Sequence, residues 1–130
     1  PYFGDETTGI FIYEKDKKKG FVLYSEEISA AKYDYIDHWY GKLFIVSANN
    51  KYGVFSVEKK TEIIPCDYDK ISYTSSNFSL VGLNKCGKWG IFNIHVKKWL
   101  GKGLVYIDEF IYSDRVRVKE QNGNWKDLKK

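Results

Sequence analysis

The stretch KYGVFSVEKKTEIIPCDYDKI, Lys51 to Ile71, decides the fold. Its first part, Tyr52 to Val57, is built of aromatic and β-branched residues around one glycine, Gly53. A polar turn of Glu58, Lys59 and Lys60 follows, then a second extended run, Thr61 to Cys66, and a closing Tyr68-Asp69 pair. Short runs of this composition broken by polar turns read as hairpin strands. Two other stretches line up with this one. They are KKGFVLYSEEISAAKYDYI, Lys18 to Ile36, and KWGIFNIHVKKWLGKGLVYIDEF, Lys88 to Phe110. Gly20, Gly53 and Gly90 fall 33 and 37 residues apart, and Tyr33-Asp34 precedes Tyr68-Asp69 by 35. A fixed period of this size is the mark of a repeat architecture. In the third copy Tyr106-Ile107-Asp108 reads as a loosened Tyr-Asp pair, and NGNWKDL, Asn122 to Leu128, opens a partial fourth copy.

Each copy reads as three strands. The strand before the glycine is Gly9–Tyr13, Lys42–Val46, Phe78–Leu83 and, with clean alternation, Arg115–Val118. The turns EKDKK, SANNK, NKCGK and KEQNGN carry the Asn, Asp, Gly and Lys that tight hairpins accept. The expected fold is all-β: an antiparallel meander of about ten short strands, elongated or partly curled. It forms a single domain over 1–130, with copies at 9–37, 42–72, 78–111 and, in part, 114–130. Two segments interrupt the pattern. YDYIDHWY, Tyr33 to Tyr40, reads as a helical turn or an aromatic loop, and Trp99 to Lys102 as a bulged loop.

Composition agrees. Val, Ile, Phe, Tyr, Trp and Thr make up 48 of 130 residues, while Ala occurs three times and Met not at all. A helical bundle is excluded, and 43% hydrophobic with 18% aromatic content excludes disorder. No stretch is long and apolar enough for a transmembrane helix, and no signal peptide is present. A chain that starts at Pro1 and lacks Met is expected to be a piece processed or excised from something longer, so the compartment stays open.

KYGVF and GKWGIF, with IIPCDYDKI at a fixed distance, resemble the WG-repeat (KWG-repeat) family, whose unit is similar to G-K-W-G-[aromatic or aliphatic]-I, a polar turn, then V-I-P-x-x-Y-D-x-I. Copy two carries Tyr52, Gly53, Ile63, Ile64, Pro65, Tyr68, Asp69 and Ile71 in place, with Tyr52 where the family has Trp. Copy three keeps Gly87, Lys88, Trp89 and Gly90 but loses the Pro-x-x-Tyr-Asp half; copy one has Lys19 in the aromatic slot and no Pro. The resemblance runs from Gly9 to the C-terminus. It implies β-strand repeats, found mostly in bacterial proteins, and no catalytic residues. From the residues themselves, the glycine after the aromatic lets a ring or a backbone lie across its strand. Pro65 is expected to end its strand, and Asp34 and Asp69 to accept hydrogen bonds from turn amides.

No catalytic constellation is visible. His38 and His95 lie outside any nucleophile motif, Glu26 and Glu27 point to opposite faces, and no phosphate-binding glycine loop follows a strand and opens a helix. Cys66 and Cys86 lack paired metal-ligand spacing, so no metal and no cofactor is expected; they read as small thiols, with a disulfide between them left open. Net charge is +4, from 19 Lys against only Arg115 and Arg117 among the cations. Lys attracts polyanions diffusely but lacks the bidentate fork of Arg, so specific nucleic-acid recognition is not expected. What remains is a non-catalytic module that binds or scaffolds another protein across an extended repeat surface. Glycan or cell-envelope binding through exposed aromatics is the alternative, with Tyr112 among its candidates. Departures from a repeat tend to mark its binding face, which puts Trp39, Tyr40 and Trp99 forward as contact residues.

Overall fold

The turns come first, because they fix the register of everything else. Asp16-Lys17, Tyr24-Ser25 and Asn49-Asn50 all have both residues at positive φ, and Cys86-Gly87 does the same at 54° and 80°. Two left-handed residues in a row make the hairpin turn whose twist matches the twist of the strands it joins. A computed structural model describes residues 2–5, 9–74, 77–108 and 115–129. In it every sheet is an antiparallel meander in chain order.

The first sheet holds β1 (Tyr2–Asp5), β2 (Ile10–Lys15), β3 (Lys18–Leu23) and β4 (Glu26–Glu27). The second holds β5 (Tyr35–Tyr40), β6 (Leu43–Ala48), β7 (Lys51–Ser56) and β8 (Thr61–Tyr68). The third holds β9 (Lys70–Thr74), β10 (Asn77–Lys85), β11 (Lys88–Asn93) and β12 (Lys98–Leu104). The fourth holds β13 (Tyr106–Ile107), β14 (Arg115–Lys119) and β15 (Trp125–Lys129). There is no helix among the described residues. The chain is all-β and its sheets are not closed.

The strand count differs from the sequence reading. The repeat was expected to carry three strands, but its Tyr-Asp element leads into another, β5 or β9, which pairs with the strand that follows. YDYIDHWY is therefore neither helical turn nor loop: Tyr35 to Tyr40 is β5. Trp99 to Lys102 is likewise strand, within β12, and its irregularity appears as two register shifts against β11. Pro65 does not end a strand. It sits inside β8, the outermost strand of its sheet, where a missing ladder donor costs least.

The Tyr-Asp pair is a corner. Tyr33 exchanges both backbone hydrogen bonds with Lys19 of β3, at 2.8 and 3.0 Å, while the next amide, Asp34 N–H, donates to Ser47 O of β6 at 2.8 Å. One dipeptide thus closes one sheet and opens the next. Asp69 N–H repeats this with Asn84 O at 2.8 Å. At the third corner the equivalent bond runs from Val105 N–H to Lys119 O, 3.0 Å, and Leu104 pairs with Trp89 as Tyr33 pairs with Lys19. The third corner is Leu104-Val105, not the Tyr106-Ile107-Asp108 that the letters suggest. The extra residues of the bulged β12 shift the phase.

Contacts gather into two units, 1–67 and 68–130. The first has an aromatic core. Phe21 stacks on Phe55 at 4.5 Å and 9°, with Phe44 and Tyr33 meeting them edge to face and Ile10, Val46 and Val57 filling between. The second core is aliphatic: Leu80, Ile91, Leu104, Ile107, Val116 and Val118.

Candidate functional site

In the second unit, the bulges of β12 and the glycine of β11 make a groove together. Gly90 lies opposite Leu83 of β10, and the Trp99 ring crosses its bare face; a Cβ built on Gly90 would stand 2.5 Å from Trp99 Cζ3. The motif glycine exists so that this ring can lie down. Trp99 meets Phe92 edge-on at 5.1 Å and tilts toward Tyr68 at 6.5 Å. The groove, about 310 Å³, is lined by Tyr68, Leu83 and Trp99 with Lys85, Lys88 and Lys102, on the β-strand backbone of Trp89-Gly90 and Gly103. Hairpin register sets Lys85 directly across from Lys88. The Lys85 ammonium stands 5.9 Å over the Tyr68 ring and the Lys102 ammonium 4.6 Å over Trp99, both within cation–π range. None of the lining side chains is a carboxylate. The site therefore offers positive charge carried on half-buried rings.

Of the residues put forward from sequence, only Trp99 is here. Trp39 must be corrected: it is 4% exposed, because β5 turns it inward, and a buried ring presents no face to a partner. Tyr40, its neighbour on the opposite face of β5, is exposed at the surface of the first unit. Tyr112 lies outside the described residues. Sequence reasoning assigned Tyr68 to the repeat frame and did not single out Lys85, Lys88 or Lys102. The available signal was the Lys on either side of the Cys86-Gly87 turn.

The remaining motif residues hold the frame. Asp34 Oδ2 accepts from Asn49 N–H at 3.3 Å, and Asp69 Oδ2 from Cys86 N–H at 3.0 Å; each carboxylate caps the hairpin turn of the next sheet. A hydrogen bond from Lys18, with its charge, keeps the Asp34 carboxyl below its usual range. Gly20 is crossed by the Tyr13 ring, whose hydroxyl donates to Glu27 and to Ser29 O, and Gly53 by the backbone of Ile64 to Cys66. Trp89 packs against the aliphatic core and Tyr52 meets Tyr35.

One cluster in the first unit carries shifted titrations. Tyr33, fully buried, donates to Glu62 Oε2 at 2.5 Å; Lys32 pairs with that oxygen at 3.1 Å, and Cys66 N–H donates to Oε1 at 3.1 Å. Burial works against ionising Glu62, but the bonds from Tyr33, Lys32 and Cys66 outweigh it, so its pKa lies below the ordinary value. Burial and then the hydrogen bond to Glu62 push the Tyr33 hydroxyl up, and burial and then the Glu62 charge push the Cys66 thiol up to about 12. This is a neutral phenol and an inert thiol around a structural carboxylate. Both cysteines are free, Cys66 half-buried and Cys86 exposed at its turn. His38 Nε2 bonds Gly41 O at 2.8 Å, and the exposed His95 sits in a turn closed by Asn93.

Comparison with known proteins follows the same lines. The WG containing repeat model matches residues 26–52 and 58–89. The first match begins in β4 and the second in the turn before β8, each ahead of a Tyr-Asp corner, and they end at the aromatic slot, Tyr52 or Trp89, so the sequence unit straddles two sheets. This is not a family of known enzymes. No curated protein matches the chain. Solved structures similar to it include the crystal structure of the N-terminal domain of Nup159, at 9% identity and a TM-score of 0.45. That likeness covers 97% of this chain and 39% of the other, so the chain spans about two fifths of that domain's length.

Proposed function

From the WG containing repeat matches at 26–52 and 58–89, we propose that this chain is a non-catalytic module that binds another protein through the groove of its second unit. One observation carries this reading. Tyr68 and Trp99 lie half-buried in a concave site ringed by Lys85, Lys88 and Lys102, with no carboxylate, histidine or cysteine among its lining residues. Aromatic anchors in a concave patch are what protein interfaces use for affinity, and a charged rim is what they use for steering. The groove holds no Ser–His or Cys–His pair and no pair of carboxylates.

A photo-crosslinker tests it. With p-benzoylphenylalanine in place of Cys86, exposed at the turn between Lys85 and Lys88, irradiation in extract of the source cell should yield a discrete protein adduct. The same probe at Tyr24, 72% exposed in the first unit, should yield none. Equal labelling from both positions would contradict the reading. An adduct removed by glycosidase and untouched by protease would replace protein with glycan as the ligand class.

A further inference from the structure

We propose that the partner segment seated in this groove is an acidic peptide, whose carboxylates bridge Lys88 and Lys102 while an apolar side chain rests on the edge of Trp99. The proposal rests on the reading that the groove takes a protein, and adds the chemistry of its occupant.

The placement of the ammonium groups carries the argument. Both rings of the groove are already faced by a cation, Lys85 over Tyr68 at 5.9 Å and Lys102 over Trp99 at 4.6 Å. A neutral sugar or an unstacked base needs a bare ring face to lie on, and those faces are covered. What the rings present outward is the charge above them. Lys85 and Lys88 stand opposite each other at the end of the β10–β11 hairpin, Lys102 projects from β12, and the lining holds no carboxylate. The groove thus has a run of positive charge along its rim and a half-apolar floor. An anion placed there gains ion pairing and leaves the cation–π contacts intact. Lys is a point charge, which suits separate carboxylates spaced along an extended chain better than the forked recognition of one phosphate.

The test titrates the whole chain with three probes and follows tryptophan fluorescence: a short peptide alternating Glu and Leu, the same peptide with Gln for Glu, and heparin. The Glu peptide should bind, the Gln peptide should bind at least about tenfold more weakly, and raising salt should weaken the first. Lys102→Gln and Lys88→Gln, both exposed and outside the core, should each lower affinity for the Glu peptide about tenfold. Lys17→Gln, at an exposed turn of the first unit, should leave it unchanged. Equal binding of the Glu and Gln peptides, or equal loss from Lys17→Gln, would overturn the acidic proposal while the crosslinked protein adduct still stood. Heparin binding with neither peptide bound, alongside no protein adduct at position 86, would overturn both.

Discussion

The two units write the same repeat around different cores and place their tryptophans differently. In the first, Phe21, Tyr33, Phe44 and Phe55 form the core, and Trp39 is buried. In the second the core is aliphatic, and Tyr106 and Trp125 are exposed while Tyr68 and Trp99 line a groove. The motif glycines show how this arises. Gly53 is closed by the backbone of the strand beside it, leaving no room for a ring. Gly90 faces a bulged strand, whose Trp99 ring takes the backbone's place. The repeat letters specify a backbone; the register of the last strand decides whether backbone or a ring covers the motif glycine.

The largest expected difference is in stability. Phe21→Ala removes the centre of the stacked cluster and should cost about 3–5 kcal/mol in denaturant unfolding. Trp99→Ala should cost clearly less, because one side of that ring faces the groove. Equal losses would break the comparison. The glycines sharpen it. A Cβ on Gly53 would stand 2.4 Å from Ile64 O, a backbone atom that cannot step aside, whereas on Gly90 it meets a side chain. Gly53→Ala should therefore cost about 2–3 kcal/mol and Gly90→Ala about 1. The second should also disturb Trp99 fluorescence, and the reverse order of losses would contradict the account.

Next in size is the carboxylate of the first unit. Glu62 has a folded pKa below its unfolded one, so its contribution is present above the ordinary carboxylate range and is lost as pH falls through the lower, folded value. Stability against pH should slope downward toward acid, and Glu62→Gln should flatten that slope. Tyr33→Phe, which takes a donor from a buried carboxylate, should cost about 1–2 kcal/mol at neutral pH. Unchanged unfolding in Tyr33→Phe would remove Glu62 from the frame. The smallest effect is chemical. Cys86, exposed, should react with a thiol reagent in the folded protein, while Cys66, half-buried with its thiol held near 12, should react only on unfolding. Two fast thiols would show that the Tyr33–Glu62–Cys66 cluster is open.

Much of the frame was legible in the sequence. Hairpin turns, middle strands and the family could be read because turn residues and the WG dipeptide are local signals. β5 was missed because Tyr35 to Tyr40 mixes aromatic, acidic and polar residues, so neither face stands out and Trp39 looks like its exposed neighbours. The third corner was misplaced because a letter match at Tyr106 and Asp108 outweighed a phase shift that only pairing reveals. Trp99 was singled out through the repeat's irregularity, and the structure places it in the groove. Its companions Tyr68, Lys85, Lys88 and Lys102 come from separate segments, and nothing in one sequence says they meet.

The four tryptophans offer the most direct measurement. Their indole N–H resonances, assigned by single substitution, can be followed in a ¹H–¹⁵N spectrum while the Glu–Leu peptide is added. The account predicts that Trp99 shifts progressively and that Trp39, buried in the first unit, does not move. A fixed Trp99, or a Trp39 that moves as far, would contradict the claim that the second unit displays what the first unit buries.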